Sequence, residues 1–200
     1  LYDYAGVNPQ NGNALWRNEE GLLTENYGEA RRINAGSPEP LWTGGFNTEL
    51  SWKGISLGIQ LEARYGNKVL NQDRSLFEAD GSYGDSNIWK GALNYWKKPG
   101  DTNVLPKPIY NNSSNSSQIS TRYLEDGSYL RIKDITLAYN LPSKWTKKAL
   151  MSGVRIYASA LDLYTFHNMN YWDPEHGTTG ATIISYPMTR SMIVGVDITF

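Results

Sequence analysis

Two carboxylates come closest to a reacting pair in this chain: Asp173 and Glu175, on either side of Pro174 in the segment YWDPEHG. General acid–base cleavage of a glycosidic bond needs two carboxyl groups at a set separation across a cleft. A pair this close in one short segment, with no third group beside it, gives that chemistry little footing. Asp-Pro more simply opens a turn and orders the loop around it. Turn structure is therefore the first reading, ligand contact the second and catalysis the last. His167 and His176 lie nearby, yet their spacing with the two acids matches no standard zinc pattern. No Ser-His-Asp arrangement and no glycine-rich phosphate loop can be traced. Cysteine is absent, which removes thiol catalysis, thiolate metal sites and disulfides. The residues point away from an enzyme, and no metal or cofactor is expected.

Aromatic side chains are the other candidates. The chain holds seven Trp and fourteen Tyr against four Phe. Rings with one polar atom suit membrane interfaces and sugar-binding surfaces alike. Trp89, Tyr95, Trp96 and Trp172 fall in segments that read as loops, where sugar rings or a covering partner could stack on them. Trp89 and Trp96 have a simpler use, which is to pack a loop helix against the rest of the molecule.

The elements that must position these residues are strands. Five long candidates stand out by their period-two alternation. The first runs from about Leu41 to Trp52, with Phe46, Thr48, Leu50 and Trp52 on one face and Asn47, Glu49 and Ser51 on the other. The second alternates without fault: Ile55, Leu57, Ile59, Leu61, Ala63 and Tyr65 against Ser56, Gly58, Gln60, Glu62 and Arg64. Only Lys53-Gly54 separates the two, which predicts a tight hairpin with a positive φ at the glycine. The third spans Tyr129 to Leu141, and its early apolar pair, Leu130 and Ile132, is out of phase with Ile135, Leu137 and Tyr139. That slip predicts a bulge or a point where the strand leaves a bilayer. The fourth, Val154 to Phe166, slips similarly after Ala160. The fifth begins near Ser191 and sets Met192, Val194, Val196, Ile198 and Phe200 against Ile193, Gly195, Asp197 and Thr199, of which all but Ile193 are small or polar. Each is long enough to cross a membrane at the tilt that barrels use, about 9–11 residues.

The connections sort by length: 53–54, then 67–128, then 142–153, then 167–190. Short and long ones alternate, which puts short turns at one end of a meander and long loops at the other, as in outer-membrane barrels. No run of eighteen apolar residues exists, so a transmembrane helix is excluded, while a half-polar barrel strand is not. A mean hydropathy of −0.53 and a net charge of −1 leave that choice open and give no case for nucleic acid. The expected fold is all-β: an antiparallel transmembrane β-barrel segment of about five strands with long extracellular loops. Five strands are fewer than the roughly eight that close a barrel, so they are expected to be part of a larger one. Residues 1–40 would form an extracellular loop region, with a hairpin around NPQNG, and residues 41–200 the C-terminal strands and loops. Within the longest loop, DSNIWKGALNYWKKPGD reads as a helix capped near Ser86 or Asn87. Trp52, Tyr65, Tyr139, Trp145, Tyr157 and Tyr164 would girdle the barrel near strand ends. Glu49, Gln60, Glu62, Arg64 and Asp197 would line a wet lumen.

Several of these segments taken together resemble a known family. SYLRIKDITLAYNLPSKW, VRIYASALDLYTF, YWDPEHG and YPMTRSMIVGVDITF, preceded by YDYAGVNPQNGNALW and GSPEPLWTGGFNTELSWKGISLGIQLEARYGNKVLN, are similar in order to the end of SusC/RagA receptors. The resemblance implies the last strands of a barrel of roughly 22 strands. It implies import of oligosaccharides or peptides, a SusD-like surface lipoprotein as lid, and energy delivered through TonB by parts outside this segment. It also implies that Phe200 marks a terminal strand read by the barrel-assembly machinery in the lipid bilayer. One departure is plain. Where many members carry an Asp- and Gly-rich, calcium-type stretch before GSPEP, this chain has TENYGEARRINA, with Arg31 and Arg32 and no Asp, so no divalent site is expected there. The alternatives are a soluble secreted carbohydrate-binding β-sandwich and an adhesive barrel without transport.

Overall fold

Ile55 to Tyr65 set β-branched or long apolar side chains at every second position, and the chain there is an uninterrupted strand. A computed structural model describes residues 1–82, 87–112, 114–177, 180–182, 186 and 188–200. The side chain of His176 and the expected cap Ser86 fall outside that description. The strands are β1 (Tyr4–Val7), β2 (Ala14–Arg17), β3 (Leu23–Thr24), β4 (Trp42–Trp52), β5 (Ile55–Tyr65), β6 (Lys68–Asn71), β7 (Leu124–Asp126), β8 (Tyr129–Asn140), β9 (Gly153–His167), β10 (Ala181–Thr182) and β11 (Ser191–Thr199). Two short helices, α1 (Gln72–Phe77) and α2 (Ser143–Thr146), are added to a few 3-10 turns. No helix among the described residues is long and apolar enough to cross a membrane. The fold is all-β, and its principal sheet is antiparallel throughout.

Two compact units divide the chain. One comprises Glu39–Asn67, Asp126–Glu175 and Tyr186–Phe200, and it is a five-stranded sheet in the order β11-β9-β8-β5-β4. All five expected strands are present, each within two residues of its predicted ends. Lys53 and Gly54 both take positive φ, 48° and 88°, the turn whose twist suits a two-residue hairpin. The phase slips are bulges. Gln60 pairs with Asp134 and Leu61 with Ile132, so Lys133 is the extra residue of β8. The partner irregularity in β9 lies between Leu161 and Tyr164, where Asp162 takes a φ of 48°.

The register then sorts the side chains. Phe46, Leu61 and Ile132 stand in one row; Thr48, Ile59, Ile135, Ala160 and Met192 in another; Leu50, Leu57, Leu137, Ala158 and Val194 in a third. This face is apolar except for Thr48 on the edge strand, and its members are exposed or half-buried, with Met192 at 80% and Val194 at 79%. The opposite face carries Asn47, Glu49, Gln60, Glu62, Arg64, Arg131, Asp134, Thr136, Ser159, Arg155 and Asp197. Polar atoms there bond one another: Thr136 and Ser159 hydroxyls at 2.7 Å, and Arg155 with Asp197 at 3.1 Å. Tyr157 is a departure from the expected aromatic girdle. It lies mid-strand on the polar face, where its ring covers Gly195.

The other unit comprises Leu1–Pro38, Lys68–Glu125 and His176–Ser185. The NPQNG hairpin forms as expected, β1 against β2, with β3 added at its edge. Fully buried Trp16 anchors it, donating Nε1–H to the Ser114 carbonyl at 3.1 Å and meeting Tyr4 and Tyr27 edge-on. Buried Arg122 bonds the Asp80 carboxylate and the Ser116 carbonyl, beneath the ring of Tyr123. Burial pushes the neighbouring Tyr4 phenol up to about 12, against the opposing pull of Arg122. Arg74 bridges Glu78 at 2.9 Å and Glu125 at 2.7 Å. Buried charge of this kind persists only when fully paired, as here.

Over its described residues, 87–101, the expected helix is not formed. Only Lys90–Leu93 coils, as a 3-10 turn. Beyond it the backbone pairs elsewhere: Trp96 N–H donates to Leu105 O at 2.9 Å, and Leu105 N–H to Asn94 O at 2.9 Å. Tertiary pairing has overridden a helical pattern that Gly91 already weakens.

Candidate functional site

The densest charge on the polar face of the sheet gathers around Arg131, where β8 and β9 bulge. Alternation puts Arg131 on that face, opposite Glu62 and Thr165. Its side chain is 0% exposed. The guanidinium donates to Asp173 and Glu175 together and lies 3.8 Å from Asp162. Lys133, projected by the bulge, sits 3.3 Å from Asp162, 3.4 Å from Glu175 and 3.7 Å from Glu62. The Tyr129 hydroxyl donates to Glu62 at 2.8 Å, and Arg64 approaches the same carboxylate at 3.7 Å. A polar pocket of about 120 Å³ opens beside the cluster, bordered by Arg131, Asp162, Thr165, His167, Asp173 and Arg190.

This geometry states what Asp173 and Glu175 do locally. Asp173 accepts the Glu175 backbone N–H at 2.9 Å, the Asx-type turn that Asp-Pro predicts, and Pro174 between them is buried. Both carboxylates close on one guanidinium, so they do not face each other across an open cleft as acid and base must. The arrangement ties the 168–175 segment to β8 and lines the polar face with compensated charge. His167 borders the pocket and pairs across the sheet with Tyr129.

The tryptophans are placed differently from one another. Trp89 stacks on Phe77, with ring centres 4.6 Å apart. Trp96 is 7% exposed, donates Nε1–H to the Pro9 carbonyl at 3.1 Å and carries Lys107 over its ring. Trp172 is half-buried, and its indole N–H meets no acceptor among the described residues. Phe200 is 88% exposed. Arg31, in the stretch where a calcium-type loop was not expected, binds Asp3 at 2.8 Å.

Arg131, Lys133 and Asp162 are functional candidates that no sequence motif singled out. A signal existed. The two cations border the first phase slip and Asp162 sits in the second, so charge and register break together at both bulges.

A meander with one exposed apolar face and one self-paired polar face is built to separate two unlike surroundings, and comparison with known proteins places it in a class. TonB-dependent receptor P3 of Formosa agariphila is 31% identical over 182 residues, 86% of this chain and 17% of that protein. TonB-dependent receptor P26 of the same organism is 27% identical over 179 residues, 82% of this chain and 17% of that protein. A solved structure of the RagAB peptide transporter superposes with a TM-score of 0.84 at 30% identity, covering 100% of this chain and 22% of that one. The RagAB peptide importer in its open-open state gives 0.85 at the same identity. No family model matches. The chain is thus a TonB-dependent receptor segment. More narrowly, it belongs to the SusC/RagA family, as the order of its motifs implied. It spans about a sixth of the length of the curated relatives it matches.

Proposed function

We propose that these strands form part of the wall of an outer-membrane importer of peptides or oligosaccharides, driven through TonB and covered by a SusD-like surface lipoprotein. The exposed apolar face of the five-stranded sheet carries this reading. In a soluble sandwich that face would be packed against a second sheet. Left exposed on a strand of this length it suits hydrocarbon, and the charged face behind it suits a wet lumen. The long connections, with residues 1–40 among the extracellular segments, would then lie outside the cell and the short turns in the periplasm. Within this scheme Trp89, Trp96, Trp172, Asp173 and Glu175 are the residues nearest to ligand or lid contact. Trp172 is the best of them, because its indole N–H meets no acceptor among the described residues. Phe200 would serve the barrel-assembly machinery. The peptide transporter and importer among the similar structures support peptides as the first substrate class to try.

Fractionation of the native host, followed by detergent-gel migration with and without heating, tests the reading. The expected result is outer-membrane recovery, a heat-dependent mobility shift and co-purification of a lipoprotein. A soluble secreted product would replace it with the carbohydrate-binding sandwich.

A further inference from the structure

We propose that the short-turn end of the five-stranded sheet binds anionic phospholipid, with Lys53, Lys144, Lys147 and Lys148 receiving headgroup phosphates and the adjacent apolar face seating an acyl chain. The proposal rests on the membrane-wall reading and adds the identity of the lipid.

Charge is the first observation. From Leu50 to Leu61 and from Ile135 to Leu161 the chain contains no Asp or Glu. These stretches are the two hairpins that meet at this end, through Lys53-Gly54 and through the 141–152 turn. Of the basic residues in them, Arg155 is neutralised by Asp197 on the polar face. The four lysines are exposed, and none has a carboxylate partner among the described residues. Like charges gathered without counter-charge repel one another unless an anion meets them.

The turn that carries three of them is the second observation. After α2 and a 3-10 turn, Leu150 takes a left-handed φ of 59° while 89% exposed. A leucine in that conformation is disfavoured, and a side chain this exposed gains little packing to offset the cost. Trp145 on the same turn and Trp52 beside Lys53 are exposed as well, and the Lys53 ammonium lies 4.7 Å over the Trp52 ring. Apolar bodies with cations at their tips are the composition of a headgroup boundary.

The third is shape. Directly adjoining Lys53, an apolar trough of about 570 Å³ runs between Ile55, Leu137, Tyr139, Ile156 and Val194, floored by Ala158. Small Ala158 between larger neighbours leaves the groove open to a hydrocarbon chain.

The test uses the intact receptor, extracted in detergent, stripped of lipid and titrated in native mass spectrometry with phosphatidylglycerol or phosphatidylcholine. Each basic residue near an anionic surface strengthens binding about fivefold. Phosphatidylglycerol is therefore expected to be retained at least about tenfold better, with the preference collapsing at high salt. Changing all four lysines to Gln should bring the two lipids to parity, while changing them to Arg should preserve the preference. Equal retention by the unaltered protein, or a preference that survives the four Gln changes, overturns the proposal. Outer-membrane recovery and heat-modifiable migration report on the wall reading separately. A protein that passes both and shows no lipid preference sinks the lipid site alone.

Discussion

Asp173 meets Arg131 across 42 residues of sequence, and the arginine it meets has no exposed side-chain surface. Removing one partner of a buried ion pair leaves the other charged in a poor solvent, at about 3–5 kcal/mol. Because Asp173 and Glu175 keep some access to water, the effect of Arg131→Ala is expected near the lower end, about 3 kcal/mol. The 168–175 segment should then lose its hold on β8. Hydrogen exchange of that segment in the purified receptor should rise in the variant. Unchanged protection would mean that the turn, and not the ion pairs, orders it. Replacing all three charges together, as Arg131→Met with Asp173→Asn and Glu175→Gln, should restore much of the protection.

Ile59 and Gln60 are neighbours in sequence with opposite surroundings. Ile59 stands between Thr48 and Ile135 in the apolar row, and Gln60 between Asn47 and Asp134 in the polar one. An arginine near the midplane of a lipid-facing surface costs roughly 2–4 kcal/mol, and one facing a wet lumen costs little. Ile59→Arg should reduce recovery of heat-modifiable protein from the outer membrane severely, and Gln60→Arg only slightly. Equal tolerance of the two would reverse the facing assignment.

Much of this was legible in the chain. Strict alternation in β5 fixed its faces, and the slips at Ile132 and Ala160 announced bulges that the register places at Lys133 and Asp162. Local pattern suffices there because a strand's faces depend only on parity. Arg131 with Asp173, or Arg122 with Asp80, could not be read, since nothing local records which charges will meet across some forty residues. The segment 87–101 departs from its local pattern for a related reason. Its apolar spacing suited a helix, but the backbone around Trp96 found a better partner in Leu105.

Glu25 receives side-chain amides from Asn13 at 2.7 Å, Asn11 at 2.8 Å and Asn8 at 2.6 Å, tying down the turn between β1 and β2. These bonds, that of Asn13 foremost, hold its carboxyl below the usual range. A carboxyl depressed in the folded state stabilises fully above its unfolded value of about 4.3. That contribution is lost as pH falls through the lower folded value. Thermal melts between acid and neutral pH should show Glu25→Gln less stable than the parent near neutrality, with the gap closing in acid. A gap independent of pH would assign the effect to packing instead of charge.

Gly195 leaves room for Tyr157, since a Cβ there would collide with the phenol ring. Ring and glycine sit on the polar face of the same strand pair, so a larger residue at 195 must turn the ring away from the sheet. Overpacking of this kind costs about 1–3 kcal/mol, reduced here because the clash is with the far end of one side chain. Gly195→Val should lower the temperature at which the heat-dependent mobility shift occurs, and adding Tyr157→Ala should recover most of the loss. If the double variant is no better than the single, the strain lies in the backbone of β11 and not in the ring.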